Sequence, residues 1–217
     1  PTLHKDLSEE ARVRQRYVVV PHRNKVEALV RVLGVADADA TLVFTRTRAG
    51  AEETGAALVA RGIPAATLSG DVAQKDRERI VERLRSGALD VVVATDVAAR
   101  GLDVDRIGLV VNLDLPTEPE SYVHRIGRTG RAGRAGEALT FVTPGERGRL
   151  RAIERTTRVA LEETTLPTRE QVVRHRVERL CAAAPTPDAL ALAAVRELVA
   201  QGQDPEALAA SLLTAAL

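Results

Sequence analysis

Several residue types are scarce or missing in this sequence of 217 residues, which has one cysteine, no methionine and no tryptophan. The lone Cys181 excludes a disulfide framework and any multi-cysteine metal site. No apolar run reaches the roughly 18 residues that a membrane span needs, and no secretion signal is recognisable. We therefore predict a cytoplasmic protein with no membrane partner. Because the chain starts at Pro1 and lacks methionine, we expect it to be part of a longer parent protein.

Aromatic side chains are also scarce, at 2% of the chain: Tyr17, Phe44, Tyr122 and Phe141. This scarcity argues against single-strand binding on a broad platform of stacked aromatic rings. Most of the 31 basic residues are arginines. Arginine suits two-pronged contacts to phosphate, although a GC-rich coding bias explains the excess equally well. With 45% hydrophobic residues and a net charge of +1, the chain as a whole is not disordered.

Short apolar stretches alternate with longer amphipathic ones through most of the chain, which predicts strands joined by helices and a mainly parallel sheet. The predicted strands are Arg16–Val20, Thr41–Thr45, Ala65–Leu68, Val91–Ala94, Leu109–Leu113 and Ala138–Val142. The predicted helices between and after them are Lys25–Leu33, Ala49–Arg61, Gln74–Arg85, Glu118–Ile126 and Pro144–Thr156. Gly62 and Gly87 are expected to end helices. In such sheets, ligands bind at the carboxyl ends of the strands.

The composition changes near Pro167, after which the chain is rich in alanine and leucine. Helices are predicted over residues 168–181, Asp188–Val199 and Pro205–Ala216, with Thr186 or Asp188 capping the second. Cys181 is expected to be a small buried hydrophobic residue on the first helix. The tail is too apolar to lie free in water, so five of its large apolar residues must pack on something: Leu190, Leu192, Val195, Leu198 and Val199.

The most informative stretch is the run from His124 to Arg134, in which four arginines recur at every third residue beside several glycines. No protein core can bury four such charges without partners. Closely spaced glycines let the backbone approach a ligand. Nucleotide phosphates are the natural partner of this loop, the alternative being a solvated loop without a ligand.

Three further stretches begin where predicted strands end. After Val91–Ala94, Thr95 can donate to a phosphate, Asp96 can cap a helix or pair with an arginine, and Asp103 can accept from a ribose hydroxyl. The stretch 68–77 joins a strand, a glycine and a helix N-terminus, where phosphate can bind. The stretch 43–47 runs into a hydroxyl-rich loop. Taken singly, each stretch is also compatible with an ordinary capped helix or loop.

In this order and spacing, the four stretches resemble the second, C-terminal RecA-like domain of superfamily 2 helicases, and among them the DEAD-box RNA helicases of bacteria. The resemblance covers about 25–165 and is nearly residue for residue over Ala94–Asp103 and His124–Arg131. One departure is Ser69, where the family usually has histidine. The resemblance implies an α/β fold, a RecA-like three-layer αβα domain followed by a small all-helical extension. It assigns 1–16 to a linker, 17–165 to the RecA-like domain and 166–217 to the extension.

The resemblance also implies a role for each matching residue. Arg128 and Arg131 are expected to act catalytically by reaching the γ-phosphate of ATP, whose ribose would meet Gly101 and Asp103. Four residues are expected to lie along the RNA backbone: Thr45, Gly70, Arg77 and Thr95. Five more are expected to couple the nucleotide, the RNA and the other domain: Gln74, Asp96, Arg100, His124 and Arg125. Backbone contacts of this kind bind RNA largely without regard to sequence.

No phosphate-binding loop and no Asp-Glu-Ala-Asp sequence is present. By the resemblance, these elements belong to an N-terminal RecA-like domain of the same parent chain, which holds most of the contacts to ATP and its Mg²⁺. No metal ligands are predicted here, because the histidines lack partners at ligand spacing. We therefore expect this chain alone to be inactive, with ATP hydrolysis and RNA unwinding requiring the parent protein.

Two questions stay open at the level of sequence. Residues 166–217 are predicted to mediate homodimerisation, because Leu166–Glu170 resembles the junction before a helical dimerisation region in some bacterial DEAD-box proteins. The alternative is that these helices form an intramolecular cap on the RecA-like domain. A DNA helicase or translocase of the same superfamily would use the same domain, so a DNA substrate is the alternative to RNA.

Overall fold

The computed structural model describes residues 13–183, 186 and 188–216. Of the linker predicted over 1–16, only the last four residues lie in this part of the chain. The chain divides into two compact units between Leu166 and Pro167.

The first unit is built on a sheet of seven parallel strands in the order β3-β4-β2-β5-β6-β1-β7. The strands are β1 (Val13–Val19), β2 (Ala40–Phe44), β3 (Ala65–Leu68), β4 (Val91–Ala94), β5 (Ile107–Asn112), β6 (Gly136–Val142) and β7 (Glu162–Glu163). The central strands are apolar on both sides because helices cover both faces of the sheet. On β2, for example, Leu42 and Val43 face opposite layers and neither is exposed to solvent.

The described part of this unit, residues 13–166, contains six helices and two short 3₁₀ turns. The helices are α1 (Lys25–Gly34), α2 (Arg48–Val59), α3 (Gln74–Ser86), α4 (Asp96–Ala99), α5 (Pro119–Ile126) and α6 (Arg147–Thr157), and the turns are His22–Asn24 and Pro144–Glu146. Helices α1 and α2 pack on one face of the sheet, and α3 to α6 pack on the other. The three-layer αβα arrangement predicted from the sequence is confirmed.

Two glycines end helices as the sequence predicts, because each has the positive φ that side chains disfavour. Gly62 follows α2 with φ of 76°, and Gly87 follows α3 with φ of 81°. The predicted start of β1 needs correction. The strand begins at Val13 rather than Arg16, so residues 13–16 belong to the sheet and not to a linker. Gln15 is buried there and accepts a hydrogen bond of 3.0 Å from the Tyr122 hydroxyl.

The second unit consists of helices α7 (Arg169–Ala183), α8 (Ala189–Ala200) and α9 (Pro205–Ala216). Asp188 caps α8 by accepting from the Leu190 amide at 3.1 Å. The expectation that Cys181 is buried is wrong, because its side chain is exposed. Helices α7 and α8 bury none of their residues, so they provide no core that could cover the thiol. Among the described residues, no helix combines the length and apolar character needed to cross a membrane.

Candidate functional site

The residues singled out by the sequence lie in loops and helix ends that follow the carboxyl ends of the parallel strands. Asp96 begins α4 directly after β4, and His124 and Arg125 occupy the last turn of α5. Thr45 and Gly70 follow β2 and β3. Because these strands are neighbours in the sheet, residues distant in sequence converge on one edge.

Arg125 is the centre of the site and is only 2% exposed. Its guanidinium donates to both carboxylate oxygens of Asp96, at 2.6 and 2.8 Å. The remaining nitrogen donates to the Asp114 carbonyl at 2.7 Å and to Asn112 Oδ1 at 3.2 Å. The charge also lies 5.0 Å from the centre of the Phe44 ring, within cation–π range. These contacts supply the partners that a buried cation requires.

The sequence analysis named neither Asn112, which accepts from Arg125, nor Thr140, which bonds Asn112. Both residues are fully buried on adjacent strands, and the Asn112 amide donates to the Thr140 hydroxyl at 3.1 Å. That bond turns the Asn112 carbonyl oxygen toward Arg125. The available signal for Asn112 was an amide side chain in the otherwise apolar strand β5. A polar group buried at the centre of a sheet needs a hydrogen-bond partner.

A cleft of about 310 Å³ opens beside Arg125. Four of the five predicted coupling residues line it, together with one predicted catalytic arginine. The lining residues are Phe44, Asp96, Ala99, Arg100, Ser121, His124, Arg125 and Arg128. The structure therefore brings together residues from β2, α4 and α5 that the sequence placed in separate stretches. Phe44, Ala99 and Ser121 are the members that sequence reasoning did not name as site residues.

Arg128 and Arg131 lie in the turns that follow α5. Arg128 donates to the Leu102 carbonyl at 3.1 Å and to the His124 carbonyl at 3.3 Å. Arg131 donates to the Gly127 carbonyl at 2.8 Å and forms an ion pair with Asp103. Partial burial and the nearby Arg131 guanidinium lower the pKa of Arg128 below its usual value. Both predicted catalytic arginines thus converge on the turn that contains Gly101 and Asp103.

Gly101 adopts φ of 71°, which lets the chain turn sharply between α4 and Asp103. Among the described residues, no atom beyond the two chain neighbours of Gly101 lies within 4 Å of where a Cβ would stand. The Asp103 side chain is 74% exposed beyond its pair with Arg131. Both residues therefore stand at an open surface where a ribose could approach.

Arg77 of α3 connects the predicted RNA-binding residues to this cluster. Its guanidinium donates to the Ala98 carbonyl and, at 2.7 Å, to the Arg100 carbonyl. It therefore satisfies carbonyl groups at the carboxyl end of α4, the helix that Asp96 begins. Gln74, predicted to couple through the neighbouring loop, donates to Glu78 of its own helix at 2.8 Å.

The other predicted RNA residues differ in accessibility. Thr45 is 1% exposed and its hydroxyl donates to the Thr47 carbonyl at 3.2 Å, while Thr95 is 7% exposed. Gly70 is exposed, and a Cβ there would stand 3.3 Å from the Arg48 guanidinium. Arg48, the first residue of α2, pairs with Asp71, which links the start of α2 to the loop that follows β3. Thr45 and Thr95 are thus buried at the bases of the loops that follow β2 and β4, where they help to set the conformation of those loops.

A second ionic cluster fixes the loop after β2. Lys25, itself buried, donates to one Asp114 oxygen at 2.9 Å, and the Arg46 amide donates to the other at 2.9 Å. Burial alone would raise the pKa of Asp114, but these two hydrogen bonds outweigh it and hold the pKa below its usual range. Arg46 also donates to Glu146 at 3.3 Å. The Asp114 carboxylate is thus kept ionised at neutral pH.

Within the described part of the chain, no group of three or more histidine, cysteine, aspartate or glutamate side chains is placed to hold a metal ion. The donor set of the cleft is instead dominated by guanidinium groups, which suit phosphate oxygens. The residues present therefore fit the anionic part of a nucleotide.

Comparison with known proteins agrees with this geometry. Residues 24–133 match the family model described as the helicase conserved C-terminal domain. The ATP-dependent RNA helicase DeaD of Mycobacterium tuberculosis is 54% identical over 167 residues, which are 77% of this chain and 29% of that protein. The chain thus spans less than a third of the length of this curated relative.

Two solved structures have the same fold. E. coli DEAD-box protein SrmB bound to regulator of ribonuclease activity A is 34% identical with a TM-score of 0.67, covering 70% of this chain and 91% of that chain. S. cerevisiae Dbp5 bound to RNA and ADP BeF3 is 29% identical with a TM-score of 0.69, covering 77% of this chain and 45% of that chain.

The fold and the arginine-lined site define a helicase C-terminal domain with RecA-like α/β architecture. More particularly, the chain belongs to the DEAD-box RNA helicases of bacteria, of which it represents the C-terminal domain.

Proposed function

We propose that this chain is half of a composite site that hydrolyses ATP while bound to RNA. One observation carries the proposal: a continuous set of contacts joins the RNA residues to the nucleotide residues. Arg77 holds the end of α4, and Asp96 at its start pairs with Arg125 in the last turn of α5. Arg128 lies two residues beyond the end of α5 and donates back to the His124 carbonyl of that helix. A shift of α4 on RNA binding would therefore move the arginines.

ATP would bring triphosphate charge to Arg128 and Arg131 and a ribose hydroxyl to Asp103. In the structure Asp103 is paired with Arg131. Ribose binding would give Asp103 a new donor and free Arg131 to turn toward the phosphates. Arginines delivered to a transferring phosphoryl group accelerate the reaction by roughly 10³–10⁵. The chain lacks the phosphate loop and acidic motif, so the N-terminal RecA-like domain of the parent must supply them and hold Mg²⁺.

The names of the relatives support ATP and RNA as ligands. DeaD is an ATP-dependent RNA helicase, and Dbp5 was solved with RNA and ADP BeF3. For this chain we infer largely sequence-independent binding to the RNA backbone, in the cytoplasm where RNA and ATP are both abundant. Gly70 and Arg77 provide the accessible part of that surface.

ATP hydrolysis by this chain and by its full-length parent, each with and without RNA, tests the proposal. The chain alone should show no turnover, and RNA should stimulate the parent. Single-stranded DNA of the same length is the matched control and should stimulate the parent weakly. Equal stimulation by DNA would favour the DNA translocase, and turnover by the chain alone would show that the site is not composite.

We also propose that the helical unit mediates homodimerisation. Its α8 exposes five large apolar side chains, from 36% at Val199 to 80% at Leu190. Burying such surface contributes about 25 cal/mol per Å², so a second copy of the unit would gain stability by covering it. Light scattering should give twice the chain mass for 1–217, and the mass of one chain for a Val195→Glu, Leu198→Glu variant. A wild-type mass of one chain would instead favour an intramolecular cap.

A further inference from the structure

Helix α6 carries a row of arginines that the site does not use. Arg151 and Arg155 are exposed and four residues apart, so they lie on one face of the helix. Arg158, also exposed, is the residue that ends the helix, about 10 Å along the chain from Arg151. We call these three residues the α6 arginine strip. The opposite face of α6 packs Leu150 and Ile153 into the core.

The strip has no acidic partner within the described part of the chain. Arg147, one turn earlier, approaches Glu163 only to 3.7 Å, and Arg149 faces the other way to Glu146. Glu154, the one acid of α6, accepts from the Leu161 amide. By contrast, Arg79 of the charged helix α3 pairs with Asp76. Like charges one turn apart oppose helix formation, so the strip costs stability without a compensating contact.

Arg158 adds a second cost to the stability of the fold, through its backbone conformation. It ends α6 with φ of 56°, a left-handed conformation that usually belongs to glycine at this position. Ala132 is the other non-glycine residue with positive φ in the described chain. Glycine would adopt this backbone conformation with less strain. The arginine at this position instead places a cation at the end of the strip.

We propose that the α6 arginine strip binds the phosphate backbone of RNA beyond the segment held by the core site; this rests on the proposed function. The face has no large apolar or aromatic side chain, which a protein partner would need as an anchor. Phosphates need only cations, and the arginine fork fits them. Helix α6 packs over β6 and β1, about 15–25 Å across the sheet from β3 and β4. The strip would therefore contact a different part of the RNA strand from the part held by the core site.

The test is the affinity of the 217-residue chain for two single-stranded RNAs as a function of salt. One RNA has roughly six nucleotides and fills only a core site, and the other has roughly 25. An Arg151→Gln, Arg155→Gln variant should weaken binding of the long RNA and lower its logarithmic salt slope by about 1.4, or 0.7 per lost contact. Binding of the short RNA should not change. The control variant Arg23→Gln, Arg61→Gln removes two exposed arginines elsewhere and should match the wild type.

Arg158→Gly serves as a second variant that should keep the fold, because glycine suits the positive φ of the backbone there. It should lower the salt slope for the long RNA by about 0.7 without lowering the melting temperature. The proposal is overturned if the strip variants bind the long RNA like the wild type, or if the chain shows no salt-dependent binding to it. If the wild-type chain fails to bind the short RNA, that result would instead count against the core site and the proposed function.

Discussion

Arg125 and Asp96 form a two-pronged ion pair, with Nε 2.6 Å from Oδ1 and Nη2 2.8 Å from Oδ2, and the arginine side chain is only 3% exposed. The pair joins α5 to α4. It also fixes the last turn of α5, from which the chain continues into the turns that carry Arg128 and Arg131. The stability of the fold and the geometry of the site therefore depend on one contact.

Removing Asp96 should leave the Arg125 charge buried without its main partner. We expect Asp96→Ala to lower the free energy of unfolding by roughly 2–3 kcal/mol, below the full cost of breaking a buried pair because Asp96 is 42% exposed. Adding Arg125→Met should recover at least half of that loss, since the unpaired charge is gone. Urea denaturation measures the free energy of unfolding of the single and the double variant. Equal instability of the single and double variants would contradict this explanation.

The buried amide of Asn112 should matter through Arg125. Asn112→Leu removes the acceptor at 3.2 Å from Arg125 and leaves the Thr140 hydroxyl without its donor. The expected destabilisation is roughly 1–3 kcal/mol. Thr140→Val should cost less, because Asn112 can still accept from Arg125. Thermal denaturation of the two variants ranks them, and the opposite order would argue against this role for Asn112.

Arg77 should couple RNA binding to ATP hydrolysis. In the parent protein, Arg77→Met removes the hydrogen bonds to α4, so RNA-stimulated ATPase activity should fall at least tenfold while activity without RNA changes little. Arg79→Met, on the same helix but paired only with exposed Asp76, is the matched control and should keep normal stimulation. Similar behaviour of the two variants would remove Arg77 from the coupling path.

Acid should weaken the cluster around Asp114. Hydrogen bonds from Lys25 and the Arg46 amide hold the pKa of Asp114 below 3.8. The contribution of Asp114 to the free energy of unfolding is therefore complete above its unfolded-state pKa. It is lost as the pH falls through the lower folded-state value. The free energy of unfolding should therefore fall below about pH 4, and Asp114→Asn should make that fall shallower. An identical acid profile for wild type and variant would show that Asp114 does not contribute.

Much of the fold follows from local patterns in the sequence. The bounds of β3, β4 and α9 agree with the prediction, because turns and helix caps flank each of these segments. The start of β1 was missed because residues 13–16 are mostly polar, and only the structure shows that Gln15 satisfies Tyr122. β7 has two residues and no periodicity to detect.

The site was predictable where consecutive residues carry it and not where strands bring residues together. The runs that contain Asp96 and Arg125 pointed to phosphate chemistry directly. Phe44 and Asn112 lie in separate strands and reach Arg125 only through the order of the sheet. The exposure of Cys181 was also not predictable, because it depends on what α7 packs against.

The most direct test of the account is RNA-stimulated ATP hydrolysis by the full-length parent carrying Arg131→Ala. Arg134→Ala is the control, since Arg134 lies three residues further along the same loop and pairs with Asp39 at the surface. The account predicts that Arg131→Ala lowers the rate by roughly 10³-fold or more, while Arg134→Ala stays near the wild type. Normal RNA-stimulated hydrolysis by Arg131→Ala would contradict the proposal that this domain supplies a catalytic arginine.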